Sequence, residues 1–101
     1  MEGKIQEIEK IKLKKPKKYN AIMFNDDFTT MEFVVFVLVD IFKKSELEAN
    51  KIMLDVHNKG RGIAGTYSYD IAMTKVNMAL ELAKKEDFPF KMTVEEVRIW
   101  I

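Results

Sequence analysis

Residues 31–42 constrain the fold more than any other segment, because they are apolar on almost every side whether they form a strand or a helix. Their valines favour a strand. Their length, the capping-box pattern from Thr29 to Glu32 and the charged exit at Lys43 and Lys44 favour a helix instead. We therefore predict a buried helix with Thr29 as its N-cap.

The segment before this helix predicts a strand followed by a turn. Residues 19–24 alternate in the manner of a strand that ends at Asn25. Asn25, Asp26 and Asp27 form the turn, because short polar side chains bond back to nearby backbone N–H groups. Carboxylates before a helix N-terminus also complement its dipole, by about 0.3–1 kcal/mol each. Taken alone, this turn is a helix cap with surplus negative charge.

Two more helices are predicted after it. Ser45 and Glu48 form a second capping box, and Gly60 is well placed to end the helix that they begin. Ser68 is the predicted N-cap of the third helix. The inner face of that helix is predicted to consist of Ile71, Ala72, Val76, Ala79, Leu80 and Ala83.

The remaining segments predict strands, at residues 63–67 and at the alternating Phe90, Met92 and Val94. The order β-α-α-β-α-β indicates an α/β (α+β) two-layer sandwich, in which three helices pack on one side of a three-stranded sheet. We assign residues 18–101 to this core domain. Residues 1–17 are rich in lysine and contain Pro16, so we expect them to form a flexible N-terminal extension.

Composition and charge limit the classes of function. The chain has 101 residues and a formal net charge of +1, without the strong basic field that non-specific nucleic-acid binding needs. Its first residues lack the apolar core of a secretory signal, and its longest apolar run, residues 33–39, is too short to span a bilayer. The chain has no cysteine, which fits a reducing compartment. We expect a cytoplasmic protein that binds neither nucleic acid nor a membrane.

Few side chains are candidates for catalysis or metal binding. The chain has one histidine, His57, and none of the common nucleophile, zinc-protease or phosphate-loop motifs. Asp26, Asp27 and His57 could together hold a metal ion, but the aspartates lack the repeated oxygen ligands of a calcium loop. His57 could equally complement the dipole at the end of its helix. We expect no catalytic residues, no metal and no cofactor.

Several spaced motifs nevertheless occur together in one order. They are Asn25-Asp26-Asp27, Thr29-x-Met31-Glu32-Phe33-Val34, Met53-x-x-Val56-His57-x-x-Gly60, Gly62-Ile63-Ala64-Gly65, Thr74-Lys75-Val76 and Phe88-Pro89-Phe90. In this arrangement residues 17–97 resemble the ClpS adaptor family. The resemblance implies a βααβαβ domain behind a flexible extension. It also implies a non-enzymatic adaptor that binds proteins with a destabilising N-terminal residue and hands them to a Clp-family AAA+ unfoldase feeding the ClpP peptidase.

The resemblance also implies roles for individual residues. Asn25, Asp27 and His57 would surround the free α-amino group of the substrate, and Asp26 would help to shape the turn. A pocket for a first side chain of Leu, Phe, Tyr or Trp would be lined by Thr29, Met31, Val34, Met53, Val56 and Phe90, with Met31 as the gate against β-branched side chains. The chemistry is suitable, because a buried ammonium group needs acceptors and negative charge.

A second surface is implied for the unfoldase. Asn58, Asp70 and Lys75 fall where the family contacts the N-terminal domain of a ClpA- or ClpC-type unfoldase, which would also engage the extension. We expect a monomer. Two other readings are a ClpS-like modulator of the unfoldase that does not select N-terminal residues, and a metal-dependent enzyme. The complete set of amine acceptors argues against the first, and the shortage of ligands argues against the second.

Overall fold

The computed structural model describes residues 16–98, and its elements follow the predicted order. The strands are β1 (Tyr19–Phe24), β2 (Arg61–Tyr67) and β3 (Lys91–Glu96). The helices are α1 (Met31–Asp40), α2 (Glu46–Lys59) and α3 (Tyr69–Lys85). The predicted fold class is confirmed. Apart from Pro16 and Lys17, the predicted N-terminal extension lies outside the described residues.

The sheet has the strand order β2-β1-β3, and both pairs are antiparallel. On the central strand β1, Ala21 and Met23 are fully buried in the core beneath the helices. Ile22 points to the opposite face of the sheet. It is nevertheless only 2% exposed, and its partners across the sheet are Ile63 and Thr93. The central strand is therefore buried on both faces.

Helix α1 forms, but it is buried on one side only. Its inner side places Phe33, Val34, Val37 and Leu38 in the core. Its outer side leaves Met31 and Phe36 exposed, so the prediction that the whole segment is buried is wrong there. The helix ends at Asp40, and Ile41 and Phe42 remain in the core beyond it.

The N-cap of α1 is Thr30, so the predicted Thr29 cap is wrong by one residue. Oγ1 of Thr30 accepts a hydrogen bond from the N–H of Phe33 at 3.1 Å. Thr29 instead donates its hydroxyl to Oδ2 of Asp26 at 2.7 Å. Both threonines carry a capping hydroxyl, and the hydrogen bond to Asp26 holds Thr29 in the turn. Because Phe33 now occupies the third helical position, the predicted capping box with Glu32 does not form.

The ends of the other helices agree better with prediction. Oγ of Ser45 accepts from the N–H of Glu48 at 3.2 Å, and Gly60 ends α2 with φ of 88°. Ser68 is the N-cap residue of α3 but makes no side-chain cap bond. On α3 the predicted inner residue Ile71 is exposed, because it lies about 100° around the helix from the buried alanine and valine stripe. Among the described residues, no helix has the length and apolar character needed to cross a membrane.

Candidate functional site

A cavity of about 280 Å³ lies where the turn between β1 and α1 meets α2. Its lining combines residues 25–34 with residues 53–57, which are distant in sequence. The lining residues are Asn25, Asp26, Asp27, Thr29, Met31, Val34, Met53, Val56 and His57. The structure thus brings into one cavity nine of the ten residues proposed above for the α-amino group and the side-chain pocket.

A backbone hydrogen bond joins the two halves of this cavity. The N–H of Asn25 donates to the carbonyl oxygen of Gly60 at 2.9 Å. Gly60 can present that carbonyl because its left-handed conformation reverses the chain directly after α2. His57 lies in the last turn of α2, three residues before Gly60. The end of α2 is therefore held against the turn, with His57 and Asn25 on the same cavity.

Asp26 organises the turn itself. Its Oδ1 accepts from the N–H groups of Phe28 and Thr29 at 2.8 and 2.7 Å, and its Oδ2 accepts from the hydroxyl of Thr29 at 2.7 Å. Burial raises the pKa of the Asp26 carboxyl, but the hydrogen bonds from the Thr29 side chain and the two backbone N–H groups outweigh it. The pKa therefore lies below its ordinary value, and the carboxylate is committed to the turn.

The polar rim of the cavity consists of Asn25, Asp27 and His57, which are all exposed. Within residues 16–98, the side-chain hydrogen bonds that close the turn involve Asp26 rather than Asn25 or Asp27. An amide oxygen, a carboxylate and an imidazole can therefore act as acceptors toward a donor that enters the cavity. The rim is suited to a cationic group that has several N–H bonds.

The inner wall of the cavity is apolar. Val34 and Val56 are buried, whereas Met31 and Met53 retain exposure and line the sides. Gly62 on β2 sets the position of Val56, because a Cβ atom at Gly62 would lie 2.8 Å from Cγ2 of Val56. Only a glycine allows β2 and α2 to approach this closely. This role of Gly62 could not be predicted from its motif, because it depends on a contact with Val56 in another element.

The sequence model of the family described as "ATP-dependent Clp protease adaptor protein ClpS" matches residues 14–93. The chain belongs to the ClpS family. It is therefore an adaptor of the Clp protease.

Relatives with the same description cover most of this ClpS chain. The ATP-dependent Clp protease adapter protein ClpS of Clostridium acetobutylicum is 52% identical over 88% of both chains. The one from Acetivibrio thermocellus is 46% identical over 84% of this chain and 86% of its own. The solved structure of Agrobacterium tumefaciens ClpS2 bound to L-phenylalaninamide is also similar. It has a TM-score of 0.79 and 36% identity, covering 82% of this chain and 100% of that one.

Of the residues proposed for the side-chain pocket, Phe90 alone does not line the cavity of the present protein. It is 5% exposed and lies in the core, where its ring meets that of Phe33 edge to face with centroids 5.8 Å apart. Phe33 in turn meets Phe88 at 5.0 Å. Phe90 thus supports the inner side of α1, whose first turns carry Met31 and Val34.

The three residues proposed for the unfoldase surface differ in their surroundings. Asn58, near the end of α2, and Asp70, in the first turn of α3, are both exposed. Lys75 is half-buried, and its Nζ donates to the carbonyl oxygen of Ile41 at 2.7 Å. The same ammonium group lies over the rings of Phe42 and Tyr67, 6.0 and 5.4 Å from their centroids. Lys75 therefore ties α3 to the end of α1.

The alternative of a metal-dependent enzyme requires a cluster of side chains that can bind a metal ion. Across the described range 16–98, no group of three or more His, Cys, Asp or Glu side chains is arranged to hold a metal ion.

Proposed function

We propose that this ClpS protein binds substrates by an N-terminal Leu, Phe, Tyr or Trp and delivers them to a Clp AAA+ unfoldase for degradation by ClpP. One observation supports this more than any other. A single cavity combines a rim of three exposed acceptors with an inner wall of valine and methionine. A free N-terminal residue with a bulky apolar side chain has the matching chemistry, an ammonium group beside an apolar group.

The α-ammonium group would be held at the rim by Asn25, Asp27 and His57. A cation that leaves water needs hydrogen bonds and negative charge, and the amide, carboxylate and imidazole groups together provide both. Asp26 contributes indirectly, because its carboxylate closes the turn from which its neighbours project. Acetylation of the amine would remove its positive charge and leave one N–H donor in place of three.

The first side chain would occupy the apolar part of the cavity, between the valines and Met31. The thioether of methionine adapts its shape to flat rings. Because Met31 lies at the side of the cavity, it would exclude side chains that branch at Cβ. The ligand of the similar Agrobacterium tumefaciens ClpS2 agrees with this assignment. L-Phenylalaninamide has a free α-amino group, an aromatic side chain and an amide in place of the carboxylate, like the first residue of a polypeptide.

The expected affinity is moderate. Burial of one aromatic or leucine side chain contributes about 1.5–3 kcal/mol. Each charge-assisted hydrogen bond contributes about 1.5–3 kcal/mol. Because ordering costs are subtracted from these gains, we expect a dissociation constant near micromolar, about −8 kcal/mol. Such binding is transient, as delivery requires.

Delivery would use a surface other than the cavity. Asn58, Asp70 and Lys75 would contact the N-terminal domain of a ClpA- or ClpC-type unfoldase, and the same partner would engage residues 1–17. We further propose that the protein acts as a monomer in the cytoplasm.

Peptide binding tests this proposal directly. Fluorescent peptides that begin with Leu, Phe, Tyr, Trp, Val or Ala are titrated with the protein by anisotropy, each with a free or an acetylated N-terminus. We expect micromolar binding of the four bulky free peptides, and weak binding of the Val and Ala peptides and of every acetylated one.

Equal binding of free and acetylated Phe peptides would disprove recognition of the amine. Absence of peptide binding, together with retained binding of the unfoldase N-terminal domain, would instead support the modulator that does not select N-terminal residues.

A further inference from the structure

Two methionines separate the proposed substrate cavity from a neighbouring groove. The groove lies between α1 and α2 and has a volume of about 410 Å³. Within the described part of the chain, Met31 and Met53 are the two residues that line both spaces. Their thioether side chains therefore form the partition between the cavity and the groove.

These methionines differ in their access to solvent. Met31 is 45% exposed, whereas Met53 is half-buried. Met23 and Met92 are buried in the core. On α3, Met78 is 52% exposed and is not part of either space. A small dissolved oxidant can therefore reach Met31, and Met78 provides a comparably exposed methionine away from the cavity.

We propose that Met31 is an oxidation site, at which hydrogen peroxide converts the thioether to a sulfoxide and so weakens binding of the substrate's first residue. The proposal rests on the proposed function of the cavity. A sulfur lone pair attacks one peroxide oxygen, the O–O bond breaks and an S–O bond forms. The hydroxide that leaves takes the proton of the transferred oxygen and becomes water, so sulfur is oxidised and peroxide is reduced.

The sulfoxide weakens binding because it adds a polar oxygen to a residue that lines the apolar part of the cavity. Oxidation converts the flexible, apolar thioether into a polar, chiral sulfoxide. The inner wall beside Met31 consists of Val34 and Val56, whose side chains have no donor for the new oxygen. Insertion of an apolar side chain against these valines would remove an oxygen that faces them from water without replacing its hydrogen bonds. Reduction by a methionine sulfoxide reductase restores the thioether and the apolar wall.

The experiment compares the full chain before and after peroxide treatment. Peptide mapping by mass spectrometry follows the oxidation of each methionine, and anisotropy follows binding of a free Phe peptide. We expect Met31 and Met78 to be oxidised first, and affinity to fall by about tenfold or more as Met31 is converted. Treatment with two methionine sulfoxide reductases, one for each sulfoxide epimer, and a dithiol should restore the affinity.

Two pairs of variants assign the effect to one sulfur. Each variant is compared with its own untreated sample. Met31→Leu should keep its starting affinity after peroxide, whereas Met78→Leu should lose affinity as the wild type does. Met31→Gln, which places a polar amide at the same position, should weaken binding without any oxidant, and Met78→Gln should not.

The outcomes separate this inference from the proposed function. If the untreated wild type does not prefer the free over the acetylated Phe peptide, the proposed function fails and the oxidation site fails with it. If the untreated protein binds as proposed, full affinity with Met31 oxidised would overturn the oxidation site alone. Equal losses in Met31→Leu and wild type would also overturn it.

Discussion

Asp26 and Asp27 are adjacent carboxylates with different environments. Asp26 accepts three hydrogen bonds from Phe28 and Thr29, whereas Asp27 is exposed on the rim of the cavity. Their sequence context does not distinguish them, because either could accept from the backbone of the turn. The structure therefore separates a residue that shapes the site from one that is available to a ligand.

Substitution of the two carboxylates one at a time should separate stability from binding. Asp26→Asn replaces a charged acceptor with a weaker one, and we expect the free energy of unfolding to fall by about 1–2 kcal/mol. Asp27→Asn should change stability by less than about 0.5 kcal/mol and should lower affinity for a free Phe peptide by about tenfold. Urea unfolding and anisotropy measure the two effects. Similar results for both variants would contradict this division of roles.

The acid side of the stability curve gives an independent check on Asp26. Its folded-state pKa lies below the ordinary value of 3.8. The carboxylate therefore stabilises the fold above the unfolded-state pKa, and this contribution is lost as the pH falls through the folded-state pKa. We expect Asp26→Asn to lose less stability than wild type between neutral pH and the acid range below 3.8. Urea unfolding at several pH values measures this difference. If Asp26→Asn and wild type lose the same stability in acid, the proposed contribution of the Asp26 carboxylate is wrong.

His57 is proposed to accept a hydrogen bond from the substrate's ammonium group. His57→Ala removes this acceptor, whereas His57→Gln keeps an amide oxygen at the same position. We expect His57→Ala to lower affinity for a free Phe peptide by about tenfold and His57→Gln to lower it less. Anisotropy measures the affinities, and urea unfolding checks that both variants remain folded. Equal affinities of wild type and His57→Ala would remove His57 from the acceptor set.

At the scale of elements, the cavity depends on how closely α2 approaches β2 and the turn. Gly60 ends α2 and accepts the hydrogen bond from Asn25, and Gly62 leaves room for Val56. The spacing of these glycines is visible in the sequence. Their contacts are not, because each depends on a partner in another element.

Gly62→Ala should disturb both stability and binding. The added methyl group would lie 2.8 Å from Cγ2 of Val56, so α2 or β2 must shift. We expect a loss of about 1–3 kcal/mol of stability and weaker binding of a free Phe peptide. Gly65→Ala is the matched control, because its methyl group would overlap the ring of Tyr67, which does not line the cavity. If Gly62→Ala and Gly65→Ala lose similar stability, an equal loss of peptide affinity in both would contradict a specific effect on Val56.

At the scale of the whole molecule, Lys75 links α3 to the end of α1, far along the chain. It is also one of the residues proposed to contact the unfoldase, so its substitution should change both the stability of the fold and the binding of the unfoldase. Asp70, which is exposed in the first turn of α3, has no comparable contact with the core through its side chain among residues 16–98.

Comparison of Asp70→Asn with Lys75→Ala should separate unfoldase binding from fold stability. We expect both variants to bind the N-terminal domain of a ClpA- or ClpC-type unfoldase less tightly, while keeping wild-type affinity for a free Phe peptide. Lys75→Ala should also lose about 1 kcal/mol of stability, and Asp70→Asn less than about 0.5 kcal/mol. Calorimetric titration and urea unfolding provide the measurements. Unchanged unfoldase binding in both variants would disprove the proposed surface.

The order and type of the elements follow from local patterns in the sequence. Alternation and helical spacing report which sides of an element are apolar, and Ser45 and Gly60 mark helix ends through their own side-chain or backbone chemistry. The family could also be named from spaced motifs, because several of them in one order are far more specific than any one. The patterns that predict a strand, a helix or a helix end lie in the same few residues as the element itself.

The remaining features depended on contacts between distant segments. Tertiary packing places Phe90 against Phe33 rather than on the cavity, and it leaves Ile71 exposed. The cap of α1 is an exception, because Asp26, three residues before Thr29, holds that threonine in the turn and leaves Thr30 as the cap. The turn after β1 illustrates the limit most clearly. Its sequence predicts a helix cap with surplus charge, and only the hydrogen bond between Asn25 and Gly60 brings that charge beside α2. Local sequence determines what each side chain can do, whereas packing between elements decides which side chains meet.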